Sequence, residues 1–208
     1  VTQSSFAHCC SLVGSLLTAA SSASAGITNY LNGPGWAAWQ SDAAGFQTID
    51  FTQYPQMTSI TDQYTKSNGV TFSGIVPPGF PPEVIPPPFV LFSSNFVEDG
   101  IGVAAQFGVE LTFSMPQHAI GLHLSDKASY KLFAGDVLVG QTFWGTGGLG
   151  SFHGLTSSVA FDRVQMKSFG DIGDDTLFFD NLYFSTVPGP GGLAVMAAGL
   201  LLGGRRRR

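Results

Sequence analysis

Cysteine is nearly absent: the 208 residues hold two, Cys9 and Cys10, both among the first ten. The chain beyond them therefore has no disulfide and no thiol chemistry, and its stability rests on a packed core or a bound ion. Charge is scarce as well, at 11% of residues, and basic charge scarcer still. Nine basic residues stand against 14 acidic ones for a net −5, and four of the nine are Arg205, Arg206, Arg207 and Arg208. Without those four the body has five basic residues against 14 acidic, which excludes nucleic acid as a partner because phosphates demand a basic surface. Catalytic signatures are missing too: there is no GxSxG elbow, no Gly-rich phosphate loop followed by Lys, and no HExxH. Glu83, Glu98 and Glu110 lie in or near loops and an ordinary strand, so they make a poor glycosidase pair. The expectation is a protein that is not an enzyme.

A sustained helical period is also lacking before residue 187. What is present instead is 44% hydrophobic residues with 27 glycines and 18 phenylalanines, a composition that favours an all-β globular domain. FQTIDF, from Phe46, alternates as a half-buried strand should. Asn68-Gly69 is a turn signal before the strand Val70–Ser73, since both residues tolerate positive φ. Pro77–Pro88 holds seven of the 12 prolines and reads as a surface insertion. Short strands then recur at Gln106–Phe113, Ala119–Leu124, Ser129–Phe133, Val137–Phe143, Val159–Met166 and Thr176–Phe184, with Gly135-Asp136 as a hairpin turn. Strands at this spacing predict an antiparallel β-sandwich or barrel over 46–186. Its core should include Phe51, Phe72, Phe113, Leu122, Phe161, Leu182 and Phe184.

Both ends read as targeting segments. Residues 1–25 form a signal peptide, expected as a helix: Ser11–Ala20 is apolar and Ala23-Ser24-Ala25 gives the small-x-small pattern of a signal-peptidase site before Gly26. No Lys or Arg precedes the run and the chain opens on Val1, which puts the true translation start in question. Residues 187–208 read VPGPGGLAVMAAGLLLGGRRRR. Pro188 and Pro190 stop the preceding strand. The uncharged run Gly191–Gly204 is a short hydrophobic helix near the lower limit of the roughly 17–25 residues that span a bilayer. The four arginines belong on the cytoplasmic side.

This order, with the motif Val187, Pro188, Gly189, Pro190, resembles the C-terminal sorting signal of PEP-CTERM proteins, although Gly189 stands where that motif usually carries Glu. The resemblance implies recognition and removal of the tail by an exosortase, after transient residence in the inner membrane. The alternative is a plain membrane anchor. The TIDF, TDQY…GVTFSG, AIGLHL, SFHGLTSS…FDRVQM and LFFDNLYF segments also resemble a β-sandwich domain common among such exported proteins, which implies the jelly-roll-like form of the sandwich. Similar jelly rolls occur in carbohydrate-binding modules, where an aspartate of the last strand often holds a structural calcium.

Alternation in the closing strand places Asp180 with Phe178, Leu182 and Phe184 on one face. A carboxylate there requires a partner, and calcium with Asp50 as a second ligand is one expectation. The other is that Asp180 accepts backbone amides at a bulge. Asp171, Asp174 and Asp175 lack EF-hand spacing and read as a solvated turn, and the histidines give no zinc pattern. Residues 26–45 form an N-terminal extension in which Trp36 and Trp39 either pack onto the sandwich or, with Trp144, stack against sugar rings. Two function classes follow. One is a structural or adhesive protein of the cell surface or exopolysaccharide (biofilm) matrix. The other is a carbohydrate-binding module that uses exposed aromatics.

Overall fold

A computed structural model describes residues 26–55, 58–75, 89–93, 101–106, 108–124, 127–144, 150–168 and 176–187. The elements, in chain order, are β1 (Ile27–Leu31), α1 (Asn32–Asp42), β2 (Gln47–Ile49), α2 (Thr65–Asn68), β3 (Val70–Gly74), β4 (Phe89–Ser93), β5 (Ile101–Gln106), β6 (Val109–Leu124), β7 (Ala128–Ala134), β8 (Val137–Trp144), β9 (Ser151–Ser168) and β10 (Thr176–Ser185). Strands dominate, and each pairing among them is antiparallel. The expected all-β class is therefore observed.

Two long strands organise the sheet. β6 has 16 residues and β9 has 18, against about 5–6 for an ordinary strand. They pair at both ends, Val109–Thr112 with Met166–Arg163 and Ala119–Leu124 with Thr156–Ser151, and the register shifts in between. Pro116 lies in this break, where its missing N–H does not interrupt a regular ladder. The first end of β6 takes β3 as a neighbour, and the corresponding end of β9 takes β7 and then β8. At the other end, β10 lies beside β6 with β2, β5 and β4 beyond it, and β1 lies on β9. The two halves share one interior.

That interior combines Phe72, Leu111, Leu132 and Val164 from the first half with Leu122, Leu155, Phe179 and Leu182 from the second. Phe51 joins them, its ring 6.0 Å from Phe72 and 5.8 Å from Phe179. The seven core side chains expected from alternation are all buried. Each such phenylalanine or leucine contributes about 1.5–3 kcal/mol through removal from water. The architecture is thus sandwich-like.

Several local expectations need correction. The Phe46 strand is short, ending at Ile49. Beyond it Asp50 Oδ1 accepts the Thr52 N–H and hydroxyl, and Phe51 turns at φ 59°. Asn68 ends α2, so only Gly69 (φ 70°) adopts the left-handed conformation that closes the helix. Gly135, at φ 57°, makes the β7–β8 turn as expected. The segments Gln106–Phe113 and Ala119–Leu124 are not separate strands: β6 runs through from Val109. β9 likewise begins at Ser151, eight residues before the expected Val159. The extension 26–45 supplies β1 and α1, and α1 forms although its sequence shows no sustained helical period. The Pro77–Pro88 insertion, the three aspartates of 171–175, residues 1–25 and residues 188–208 lie outside the described residues.

Candidate functional site

The outer face of the β10-β6-β9-β1 layer carries a row of opposed residues: Tyr183, Gly121, Gly154 and Tyr30. The two central glycines leave a flat seat between two tyrosines. A Cβ on Gly154 would lie 2.5 Å from Trp39 Cδ1 and 2.7 Å from the Phe152 ring, and one on Gly121 would lie 2.9 Å from Phe152 and 3.2 Å from Trp39. Trp39 fills this seat completely buried, and its indole N–H donates to Leu155 O at 3.2 Å.

α1 is fixed to the sheet through this tryptophan and through its last residue. The Tyr30 hydroxyl donates to Asp42 Oδ2 at 2.5 Å, with Thr156 Oγ1 3.3 Å away. Burial first, and the Asp42 carboxylate second, push the Tyr30 hydroxyl pKa up. Tyr30, Trp39, Ala43, Ala119, Phe152 and Tyr183 form a second apolar cluster, with Trp36 and Phe46 packed against it.

One turn before Trp39, Trp36 stacks on it with ring centroids 5.8 Å apart and planes 11° from parallel. Trp36 also meets Phe152 at 4.7 Å, Tyr183 at 4.8 Å and His123 at 6.2 Å. Beside it opens a cleft of about 380 Å³ lined by Asn32, Gly33, Trp36, His123, Gly150, Ser151, Phe152 and Tyr183. Three aromatic rings and the His123 imidazole meet hydroxyl and amide groups there, and the described lining residues include no Lys, Arg, Asp or Glu.

The structure separates the three tryptophans. Trp36 is half-buried in the cleft wall. Trp39 has no exposed surface, so it packs onto the sheet, the first of its two expectations, and is not a glycan contact. The pair is stacked face on face rather than laid out as an exposed coplanar platform. Trp144 ends β8 opposite Ala128, and its side chain lies outside the description. Tyr183, Phe152, His123, Asn32 and Ser151 were not anticipated as site residues.

The face assigned to Asp180 needs correction, while its hydrogen bonding at a bulge is the second of its two expectations. A register shift between Asp180 and Tyr183, with Asn181 at φ 49°, forms a bulge that reverses the alternation. Phe179, Leu182 and Phe184 therefore face the main core together, while Asp180 lies opposite His123 on the α1 side. Its carboxylate is completely buried and accepts the Asn181 backbone N–H at 2.7 Å and the Asn181 side-chain amide at 3.1 Å. Asp50 does sit after the strand that neighbours β10, as expected, but its Oδ1 takes two donors from Thr52.

Calcium requires six to eight oxygens. Both Asp180 oxygens accept from Asn181 and Asp50 Oδ1 accepts from Thr52, and no group of three His, Cys, Asp or Glu is placed to hold a metal among the described residues. Asp180 fits the hydrogen-bonded bulge.

His153 follows Phe152 but shares a face with Leu122, its opposite number, on the core side. It is 2% exposed, and burial, with a smaller effect from His123, lowers its pKa from 6.5 to about 4. Val187 is exposed, its N–H donating to Ser185 Oγ at 3.1 Å. Pro188, Gly189, Pro190 and Arg205–Arg208 lie outside the described residues. No family model, curated protein or solved structure matches the chain.

Proposed function

We propose that the chain is an exported, non-enzymatic protein of the cell surface or extracellular polysaccharide matrix. In this reading its body is a jelly-roll-like sandwich carried between a signal helix and a C-terminal hydrophobic helix. Signal peptidase cuts before Gly26, and an exosortase-type enzyme recognises Val187-Pro188-Gly189-Pro190 and removes the tail. The observation that carries the reading is the fixed order of Pro-x-Pro, uncharged run and Arg205–Arg208.

The fold supports it at both cuts. Gly26 N–H donates to Ser158 Oγ at 2.9 Å and Gly26 O accepts the Ser158 N–H at 3.1 Å, so the residue after the first cut is a bonded part of the body. The last described strand ends at Ser185, so removal of the tail spares the sheet. No helix among the described residues is long and apolar enough to cross a membrane, and the spanning role in this reading belongs to residues 191–204. Intact mass of the exported product is the test. The expected species begins near Gly26 and ends in the Pro-x-Pro region, and a surface product retaining Arg205–Arg208 would leave only the plain anchor.

A second reading, glycan binding, is favoured by one observation: the aromatic-walled cleft beside Trp36.

A further inference from the structure

We propose that this cleft is a binding site for an uncharged sugar, a single pyranose unit or a short end of a neutral polysaccharide; the inference rests on the glycan-binding reading. The cleft's volume of about 380 Å³ falls at the small end of the range of about 300–1,000 Å³ typical of ligand pockets. Its occupant is therefore compact.

The chemistry of the lining narrows the class. Half-buried Trp36 offers aromatic surface, with the buried Phe152 and Tyr183 rings behind it, and its electron-rich face attracts the weakly positive C–H groups on one side of a pyranose ring. Asn32, Ser151 and His123 bring polar groups to the ring's hydroxyl edge. A wholly apolar occupant would strip water from the exposed Asn32 amide and return no hydrogen bonds, at a cost of about 1–3 kcal/mol. A phosphorylated or carboxylated occupant finds no Lys or Arg among the described lining residues, and the net negative charge of the body repels anions. A nucleotide is disfavoured on the same ground, although its base would stack. A neutral polyol with one apolar face satisfies both the aromatic walls and the uncharged polar groups.

The site is also rigid before it is filled. One side of Trp36 rests on Trp39, which is seated on Gly121 and Gly154 and held by its bond to Leu155 O. An aromatic ring held in place loses little freedom when a ligand arrives, so weak stacking contributes to affinity rather than to ordering the wall.

The test is binding to the full chain, solubilised in a non-glycosidic detergent, with glucose, galactose, mannose, N-acetylglucosamine and their disaccharides as probes. Binding is followed by tryptophan fluorescence and saturation-transfer NMR. At least one neutral sugar is expected to bind, and glucuronic acid, inorganic phosphate and adenosine monophosphate are expected to bind at least tenfold more weakly. Trp36→Ala should weaken sugar binding at least tenfold. Asn32→Asp keeps the side-chain shape and removes the amide donors, so it should also weaken binding in a protein that still melts cooperatively. Leu138→Ser, on the exposed β8 edge, should change nothing. Sugar binding that survives both Trp36→Ala and Asn32→Asp overturns the cleft while leaving the glycan reading intact. Preference for the uronate or the nucleotide overturns the neutral-ligand argument. A wild-type chain that binds none of the probes and no polysaccharide on a glycan array overturns the glycan reading itself.

Discussion

Lowering the pH should destabilise this protein through one identifiable residue. His153 is 2% exposed and lies on the core face of β9, and its pKa in the fold is lowered to about 4. In the unfolded chain a histidine titrates near its ordinary 6.5. Between these two values the unfolded state binds a proton that the folded state refuses, so acid favours unfolding across that window. The stabilising contribution is fully present above pH ~6.5, falls as pH drops towards 4, and is gone below about 4, where both states are protonated. With about 1.4 kcal/mol per pKa unit, the depression amounts to about 3 kcal/mol. That is a large share of the 5–15 kcal/mol by which domains are usually stable.

Urea unfolding of wild type and His153→Leu at half-unit steps from pH 7.5 to 4 isolates the effect. Carboxylates and the other histidines titrate in both proteins and cancel in the difference, apart from the small His123 coupling. The wild-type stability should fall by about 3 kcal/mol more than that of the variant across the window. Parallel stability curves would refute the argument, as would a His153 imidazole that titrates near pH 6.5 by NMR in the folded protein.

Two further perturbations address the α1 face and the β10 bulge. Gly154→Ala places a methyl group 2.5 Å from Trp39 Cδ1, so it should cost about 1–3 kcal/mol and shift tryptophan emission to the red. Unchanged emission and stability would show that Trp39 does not need the glycine seat. Asp180→Ala leaves the buried Asn181 donors without their acceptor and should cost about 1–3 kcal/mol, while EDTA and added calcium should leave the wild-type melting temperature where it is. A calcium-dependent rise in melting temperature that disappears in Asp180→Ala would restore the metal.

The main core was legible because alternation is a local property. Phe113, Leu122 and Phe161 each occupy a strand whose neighbours in sequence alternate with them, and all three are buried. The Gly135-Asp136 hairpin was legible for the same reason. α1 was not: its apolar residues Trp36, Ala37, Ala38 and Trp39 are consecutive and give no helical stripe, and Gly33, Pro34 and Gly35 in its first turn are poor helix formers. What holds the helix is tertiary, the Trp39 side chain on two glycines that come from different strands. The length of β6 was hidden by Pro116, which reads as a break and in fact lies at a register shift within one strand.

The cleft was legible only at Trp36, and β10 shows why. Strict alternation in LFFDNLYF puts Phe179 and Tyr183 on one face and Asp180 and Leu182 on the other. Asn181 at φ 49° adds one residue to the strand, and everything after it changes sides relative to everything before. Phe179 and Leu182 thereby enter the main core together, and Tyr183 joins Asp180 on the side of α1. Asn is among the few residues other than Gly that tolerate this conformation, yet an Asn in a strand does not announce a bulge. The Asp180 carboxylate, bonded to both the backbone and side chain of Asn181, holds the bulge, and the bulge supplies the cleft with Tyr183. Asp180 thus acts on the candidate site through backbone geometry: its presence in the sequence left calcium and a bulge as alternatives, and its place in the fold points to the wall of a cleft.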